Sequence, residues 1–300
     1  MTVTVRTPAK INLGLSVGPI REDGYHSVAT VYQAISLYDE VRARPADDGV
    51  FTVSVTGEGQ DLVPLDDTNL AVQAARMLAK AFDLDSGVAL SIHKTIAVAG
   101  GLAGGSSDAA GALVACDALW GTNASRDELW RIASALGADV PFCLTGGIAI
   151  GTGRGEHITP VLARGGYEWV LAYADGTLAT PEVYAELDRL RGSAAVPEPA
   201  ASEVLMTALR SGDPYAVGQA LSNDLEEPAL RLRPALRRTL DLGDEYGALG
   251  TLVAGSGPTC LYLAADEDHA VDLAVALSSS GLCRSVQRAT GPVGGARLIT

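Results

Sequence analysis

Four residue patterns in this chain could do chemistry. The first is a run of small residues, GGLAGGSSDAAGAL (100–113). Gly100, Gly101, Gly104 and Gly105 remove side chains, so backbone N–H groups can converge on an anion. Ser106 and Ser107 then open an alanine-rich helix, whose N-terminus has free donors and partial positive charge. Serine hydroxyls at that place can donate to phosphate or reach Mg²⁺. The run is neither a Walker A loop, since no GK[ST] follows, nor GxGxxG, since Ala103 interrupts that spacing. By itself it also reads as a small-residue helix entry built for close packing.

The second pattern is Ala138-Asp139-Val140-Pro141-Phe142. A carboxylate between a helix-ending glycine and an apolar run could take a proton from a substrate hydroxyl. Taken alone it reads first as a turn aspartate bonded to nearby backbone. The third is Pro8-Ala9-Lys10-Ile11-Asn12, which sets an ammonium in an apolar strand. A charge there is costly without a partner, and Asp139 is the candidate. Gly255-Ser256-Gly257 forms a second glycine turn, able to close over a phosphate or substrate, though alone it is a plain β-turn.

The elements that must position these residues alternate irregularly. TVTVRTPAKINLGLSV reads as strand, break at Pro8, strand, and Gly24 marks a turn. A strand at VFTVSVTG precedes a helix over 68–82, with Asp66, Asp67 and Thr68 as possible caps. VALSIHKTIAV is a strand before the glycine loop. Ser125 and Glu128 form a capping box for the next helix, which ends at Gly137. A hairpin follows at GGIAIGTGRGEHITPV, and YEWVLAYAD reads as a buried strand opening a second domain. Thr180-Pro181 starts a helix. GSAAVPEPAA (192–201) is a loop. Helical patterns lie near 202–210, 214–222 and 228–241. A strand–turn–strand around the second glycine turn, a helix near 267–279 and a strand near 282–289 close the chain. This mixture predicts an α+β protein of two domains in two layers. The division falls at 1–155 and 156–300. The last strand is expected to return to the first domain.

Composition narrows the function classes. The 300 residues are 47% hydrophobic and 19% charged, which suits a globular core. The net charge of −14 disfavours nucleic acid as a partner. The N-terminus has no signal-peptide pattern, and no membrane span is expected. Cys116, Cys143, Cys260 and Cys283 lack metal-ligand spacing, so no metal site is expected, and they read as reduced thiols of a cytoplasmic protein. Of 22 basic residues only Lys10, Lys80 and Lys94 are lysines. A monomer or weak homodimer is expected.

Taken together and in this order, PAKINLGL (8–15), REDGYHSVATVYQAI (21–35), the 100–113 loop, GADVPFCLTGG (137–147) and AGSGPTCLY (254–262) resemble the GHMP small-molecule kinases along the whole chain. The DGYH segment and the ADVPF form of the aspartate motif resemble the branch whose acceptor is a cytidine-diphosphate-linked methylerythritol. The resemblance implies ATP with Mg²⁺ as phosphoryl donor and a site in the cleft between the two domains, with 1–155 catalytic and ATP-binding and 156–300 on the substrate side. It implies Asp139 as catalytic base and Lys10 as its partner, with Asn12 near the acceptor. Gly101, Leu102, Ala103, Gly104, Gly105, Ser106 and Ser107 correspond to the phosphate loop. Asn69 and Lys94 correspond to positions on the adenosine side. Tyr25 and His26 correspond to the cytidine-binding pair, with Tyr184 as an aromatic on the other face. From composition alone, Tyr25 and His26 read as a surface turn with a packed aromatic. Ala97 replaces a frequent proline, and Ala103 replaces a glycine where backbone nears phosphate. The rivals are a mevalonate- or homoserine-type kinase of the same superfamily and a catalytically silent nucleotide-binding relative.

Overall fold

A computed structural model describes residues 1–299. Its frame is one long hairpin, β1 (Val3–Ile20) and β2 (His26–Ala46), turned at Gly24 with φ near +80°. The expected break at Pro8 does not occur. The β1–β2 register shifts between Pro8 and Ala9, and this bulge absorbs the proline. Beyond β2, β1 pairs only at Val5–Arg6 and Gly14–Leu15, so the missing N–H of Pro8 costs no ladder bond.

β3 (Phe51–Gly57), α1 (Leu70–Ala81), β4 (Gly87–Lys94), α2 (Gly104–Trp120), α3 (Arg126–Leu136), α4 (Val140–Thr145), β5 (Ile148–Thr152) and β6 (His157–Pro160) follow. The strands extend the hairpin into a sheet ordered β1-β2-β4-β3, with β5 paired to β2 and β6 paired to β5. Alanines 71, 74 and 75 of α1 and 109, 110 and 112 of α2 pack on Val5, Val41, Leu90 and Ile92. Small helix residues allow that close approach: a Cβ at Gly111 would lie 2.8 Å from Val41 Cγ2. α1 is capped by Asn69, whose Oδ1 accepts from the Ala71 N–H, and not by Asp66, Asp67 or Thr68. The Ser125–Glu128 capping box is present.

The second half adds β7 (Tyr167–Tyr173), α5 (Thr180–Arg191), α6 (Glu203–Ser211), α7 (Pro214–Ala220), β8 (Ser222–Asn223), α8 (Glu226–Leu232), α9 (Ala235–Glu245), β9 (Gly250–Val253), β10 (Cys260–Ala264), α10 (Glu267–Ser279), β11 (Ser285–Gly291) and β12 (Arg297–Leu298). The helix expected over 228–241 is two helices. Pro234 lacks an N–H and pushes Arg233 out of the helical region, to φ −139° and ψ 77°. The helix expected to reach 222 stops at Ala220, because Ser222 and Asn223 pair with β1 as β8.

The second sheet runs β11-β7-β10-β9. Its central strand β7 is buried on both faces. Tyr167, Trp169, Leu171 and Tyr173 face Ile11, Leu13, Val31 and Ile35 of the hairpin, while Val170 and Ala172 face Val183, Leu240 and Leu273 of the outer helices. The indole N–H of Trp169 donates to Gln33 Oε1 across the two sheets at 2.7 Å. The fold is α+β, with helices on the outer side of each sheet. The proposed division at 155/156 falls in the turn of the β5–β6 hairpin, and β12 pairs with β1. No described helix is long and apolar enough to cross a membrane.

Candidate active site

Strand geometry starts the site. Lys10 and Asn12 are two residues apart on β1, so their side chains leave the same face. Lys10 Nζ donates to Asn12 Oδ1 at 2.8 Å and to the Gly101 carbonyl at 3.2 Å. The Asn12 amide donates to Thr30 Oγ1 at 2.7 Å, and Thr30 donates to the Gly14 carbonyl at 2.9 Å. This chain fixes the asparagine with its oxygen toward the ammonium. Lys10 is therefore buried with partners in place.

Asp139 stands at the head of α4. Its Oδ2 lies 3.8 Å from Lys10 Nζ, an ion pair longer than a hydrogen bond. Its Oδ1 accepts from the Tyr32 hydroxyl at 2.9 Å. Tyr32 faces Asn12 across the hairpin and stacks on Phe142 with ring centroids 4.9 Å apart. Burial first, and then the Asp139 charge, push the Tyr32 phenol well above its ordinary pKa, so it stays a donor.

A cavity of about 410 Å³ joins Lys10, Asn12, Tyr32 and Asp139 to Gly100, Gly101, Ala103, Gly104, Gly105 and Ser106 of the loop, and to Gly255 and Ser256. α2 begins at Gly104, and the first helical bond to the loop is made by the Ser107 N–H. The N–H groups of the preceding turn remain free to meet an anion. A Cβ at Gly101, where φ is +80°, would overlap the Ala254 carbonyl, so the two glycine turns touch. Ala103 holds φ +58° with a methyl group present. Leu102 is fully buried in the core between the sheets, and its carbonyl accepts from the Lys10 N–H. Ser107 is buried too. Its hydroxyl donates to the Pro8 carbonyl and meets Thr7 Oγ1, which ties the loop to β1. Ser106 is the serine that lines the cavity. Gly257 lies outside the cavity lining, beside Val253 and Leu178.

Asn69 and Lys94 line a neighbouring cavity of about 230 Å³, which shares Leu70, Ala99, Gly104 and Gly105 with the first. Lys94 is clamped between Asp39 and Asp108, the latter at 2.7 Å. Asp39 also accepts from the N–H groups of Thr95 and Ile96. Burial alone would lower the Lys94 pKa, but the two carboxylates hold it above the ordinary value. Burial, with Asp39 adding repulsion, holds Asp108 well above the carboxylate range, and Lys94 offsets only part of this.

On the other side, a cavity of about 710 Å³ holds Tyr25, His26 and Tyr184 together. His26 stacks on Tyr184 with centroids 5.1 Å apart, and its Nε2 lies 2.9 Å from Asp188 Oδ1. Tyr25 is 58% exposed. Sequence reasoning singled out neither Tyr32 nor Asp188, nor the Asp39–Lys94–Asp108 cluster.

Among the described residues no group of three or more His, Cys, Asp or Glu side chains could cage a metal ion. Mg²⁺ commonly rides on substrate phosphates with one or two protein oxygens. The Ser106 hydroxyl, on the wall of the glycine-loop cavity, offers one such oxygen.

The GHMP kinases N terminal domain model matches residues 69–147, and the GHMP kinases C terminal model matches residues 205–282. A protein of Leifsonia xyli subsp. xyli, 4-diphosphocytidyl-2-C-methyl-D-erythritol kinase, is 52% identical over 99% of both chains. The chain belongs to the GHMP kinases, in the 4-diphosphocytidyl-2-C-methyl-D-erythritol kinase family. A solved 4-(cytidine 5'-diphospho)-2C-methyl-D-erythritol kinase shares this GHMP kinase fold with a TM-score of 0.78. It is 34% identical and covers 98% of this chain and 100% of its own. A homoserine kinase from Cytophaga hutchinsonii also has a TM-score of 0.78, over 99% of this chain and 97% of its own. At 18% identity it shows the GHMP fold alone. The chain is thus an ATP-dependent small-molecule kinase.

Proposed function

We propose that the chain transfers the γ-phosphoryl group of ATP to the 2-hydroxyl of 4-diphosphocytidyl-2-C-methyl-D-erythritol, in the non-mevalonate route to isoprenoid precursors. The observation that carries this reading is the convergence of Lys10 and Tyr32 on the two oxygens of Asp139, on the wall of the glycine-loop cavity. The wider base-binding cavity of Tyr25, His26 and Tyr184 and the narrower one of Asn69 and Lys94 lie to either side, for cytidine and adenosine respectively.

Phosphoryl transfer demands alignment and charge neutralisation more than covalent chemistry. The acceptor oxygen forms the new P–O bond as the bond to ADP breaks, and its proton passes to Asp139 Oδ2. Tyr32 holds the other oxygen of that carboxylate in place. Lys10, fixed by Asn12, faces the charge on the transferring group. The free N–H groups at the head of α2 and the Ser106 hydroxyl take the phosphate oxygens. Bound Mg²⁺ would supply further neutralisation of the triphosphate. Contacts to the cytidine end fix the acceptor in line. Four free cysteines fit a cytoplasmic setting.

The test is direct. The protein is incubated with ATP, Mg²⁺ and the cytidine diphosphate substrate, and phosphorus is followed by NMR. A new phosphomonoester on the polyol, formed as ADP appears, is expected. Phosphorylation of mevalonate or homoserine in its place would overturn the assignment.

A further inference from the structure

We infer that Arg154 is the clamp for the diphosphate of the acceptor substrate; this rests on the cytidine-diphosphate reading above. The base cavity and the reaction cavity share five lining residues, Val28, Ala138, Arg154, Thr180 and Tyr184. Arg154 is the one charged member. In a cytidine-diphosphate-linked polyol the diphosphate lies between the base and the reacting hydroxyl. The shared wall of the two cavities is the matching place.

The guanidinium is held but not used up. It sits 5.2 Å from the centroid of the Tyr25 ring, so it and the exposed base-stacking surface form one unit. Its nearest charged partner is Glu156, with Oε1 at 3.8 Å from Nε, beyond hydrogen-bond reach. Among the described residues the side chain makes no hydrogen bond. Five N–H donors in a planar fork are available, the geometry that takes two phosphate oxygens at once. The backbone beneath is fixed. Gly153 and Gly155 hold φ of +78° and +113°, the Gly153 carbonyl accepts from the Val28 N–H at 2.8 Å, and the Arg154 N–H donates to Glu156 Oε2 at 2.6 Å. A Cβ at Gly155 would lie 2.5 Å from the Tyr32 hydroxyl oxygen. The same turn therefore presents the arginine and abuts the tyrosine that grips Asp139.

Charge argues the same way. Lys10 is the other cation on the reaction-cavity wall, and it is already engaged with Asn12, Gly101 and Asp139. A chain of net charge −14 repels a dianionic acceptor unless a local cation meets it. Arg154 meets that need and selects substrates that carry the diphosphate over bare nucleosides or free polyols.

Calorimetry with CDP and with cytidine, the ATP side filled by ADP and Mg²⁺, tests this. A charge-assisted phosphate contact gives the wild type about a 10–100-fold preference for CDP over cytidine. In Arg154→Gln that preference shrinks to about threefold or less, while cytidine binds as before. Arg154→Lys, which restores charge without the fork, recovers part of it. In turnover, Arg154→Gln raises KM for the acceptor about 10–100-fold and leaves KM for ATP unmoved. An Arg154→Gln protein that keeps the full CDP preference overturns the clamp and leaves the cytidine reading standing. A wild type that binds neither CDP nor cytidine removes the cytidine reading, and the clamp with it.

Discussion

The Tyr32 hydroxyl donates to Asp139 Oδ1 at 2.9 Å, and Lys10 Nζ stands 3.8 Å from Oδ2 of the same carboxylate. The carboxylate is thus gripped on one oxygen and faced by charge on the other. It has little freedom to rotate. The hydrogen bond reaches across from β2, whose Tyr32 lies opposite Asn12 of β1. The hairpin therefore fixes both partners of Asp139.

Tyr32→Phe keeps the stack on Phe142 and removes only the donor. A hydrogen bond to a charged group contributes about 1.5–3 kcal/mol, so turnover is expected to fall about 10–100-fold with KM for both substrates little changed. Single-turnover phosphoryl transfer with both substrates saturating reads this. Parental turnover in Tyr32→Phe would mean that the bond does not serve the reaction.

Asp139→Asn keeps the shape and one acceptor oxygen but cannot take a proton. Turnover is expected to drop by about 10²–10⁴-fold, with folding by circular dichroism and both affinities unchanged. A loss at the low end fits a loose transition state in which the aspartate mainly orients the hydroxyl. Lys10→Ala combined with it is expected to cost less than the sum of the two, because the pair acts as a unit.

Gly104→Val places a branched side chain on the wall of the phosphate-loop cavity. Its Cβ would lie 3.2 Å from both Lys94 Nζ and Ile96 Cγ2. KM for ATP is expected to rise about tenfold or more, as for the loss of one or two phosphate contacts, with cytidine binding intact. Normal ATP affinity would remove the phosphate-loop assignment.

Asp108 gives the protein a pH dependence. Its folded pKa is raised, first by burial. The fold therefore favours the protonated carboxyl. That contribution is full below the ordinary carboxylate pKa and is lost as pH rises toward the folded value. Asp108→Asn is neutral throughout. Urea midpoints measured from pH 4 to pH 8 should fall more with rising pH in the wild type than in Asp108→Asn. Parallel curves would show that Asp108 titrates alike in the folded and unfolded chain.

The sequence made some of this architecture legible and hid the rest for identifiable reasons. Capping at Ser125 is a local signal, and that helix forms as read, whereas α2 opens at Gly104, two residues before the expected Ser106, and takes in the last two glycines of the loop. Pro8 looked like a stop because a proline costs a ladder bond only where a partner strand is present, and the edge next to Pro8 is open. Lys94 was readable as an unusual lysine, but its two carboxylates come from β2 and α2, 55 and 14 residues away. Tyr32 needed the β1–β2 register, which two bulges shift away from a simple count. Which of Ser106 and Ser107 opens to the cavity depends on the phase of α2 against β1. Ser107 faces Pro8 and Thr7, and no local pattern reveals that.

The β1–β2 hairpin acts as a measuring stick. On the proposed reading, His26 and Tyr32, six residues apart on β2, mark the base end and the reacting end of the site. At about 3.3 Å per residue they stand ~20 Å apart along the strand. A continuous strand in a sheet does not stretch, so the spacing of these two residues is set by covalent geometry. On that reading, an acceptor shortened by one phosphate is expected to seat its base or present its hydroxyl, but not both. Selection for length is thus written into the backbone before any side chain makes contact.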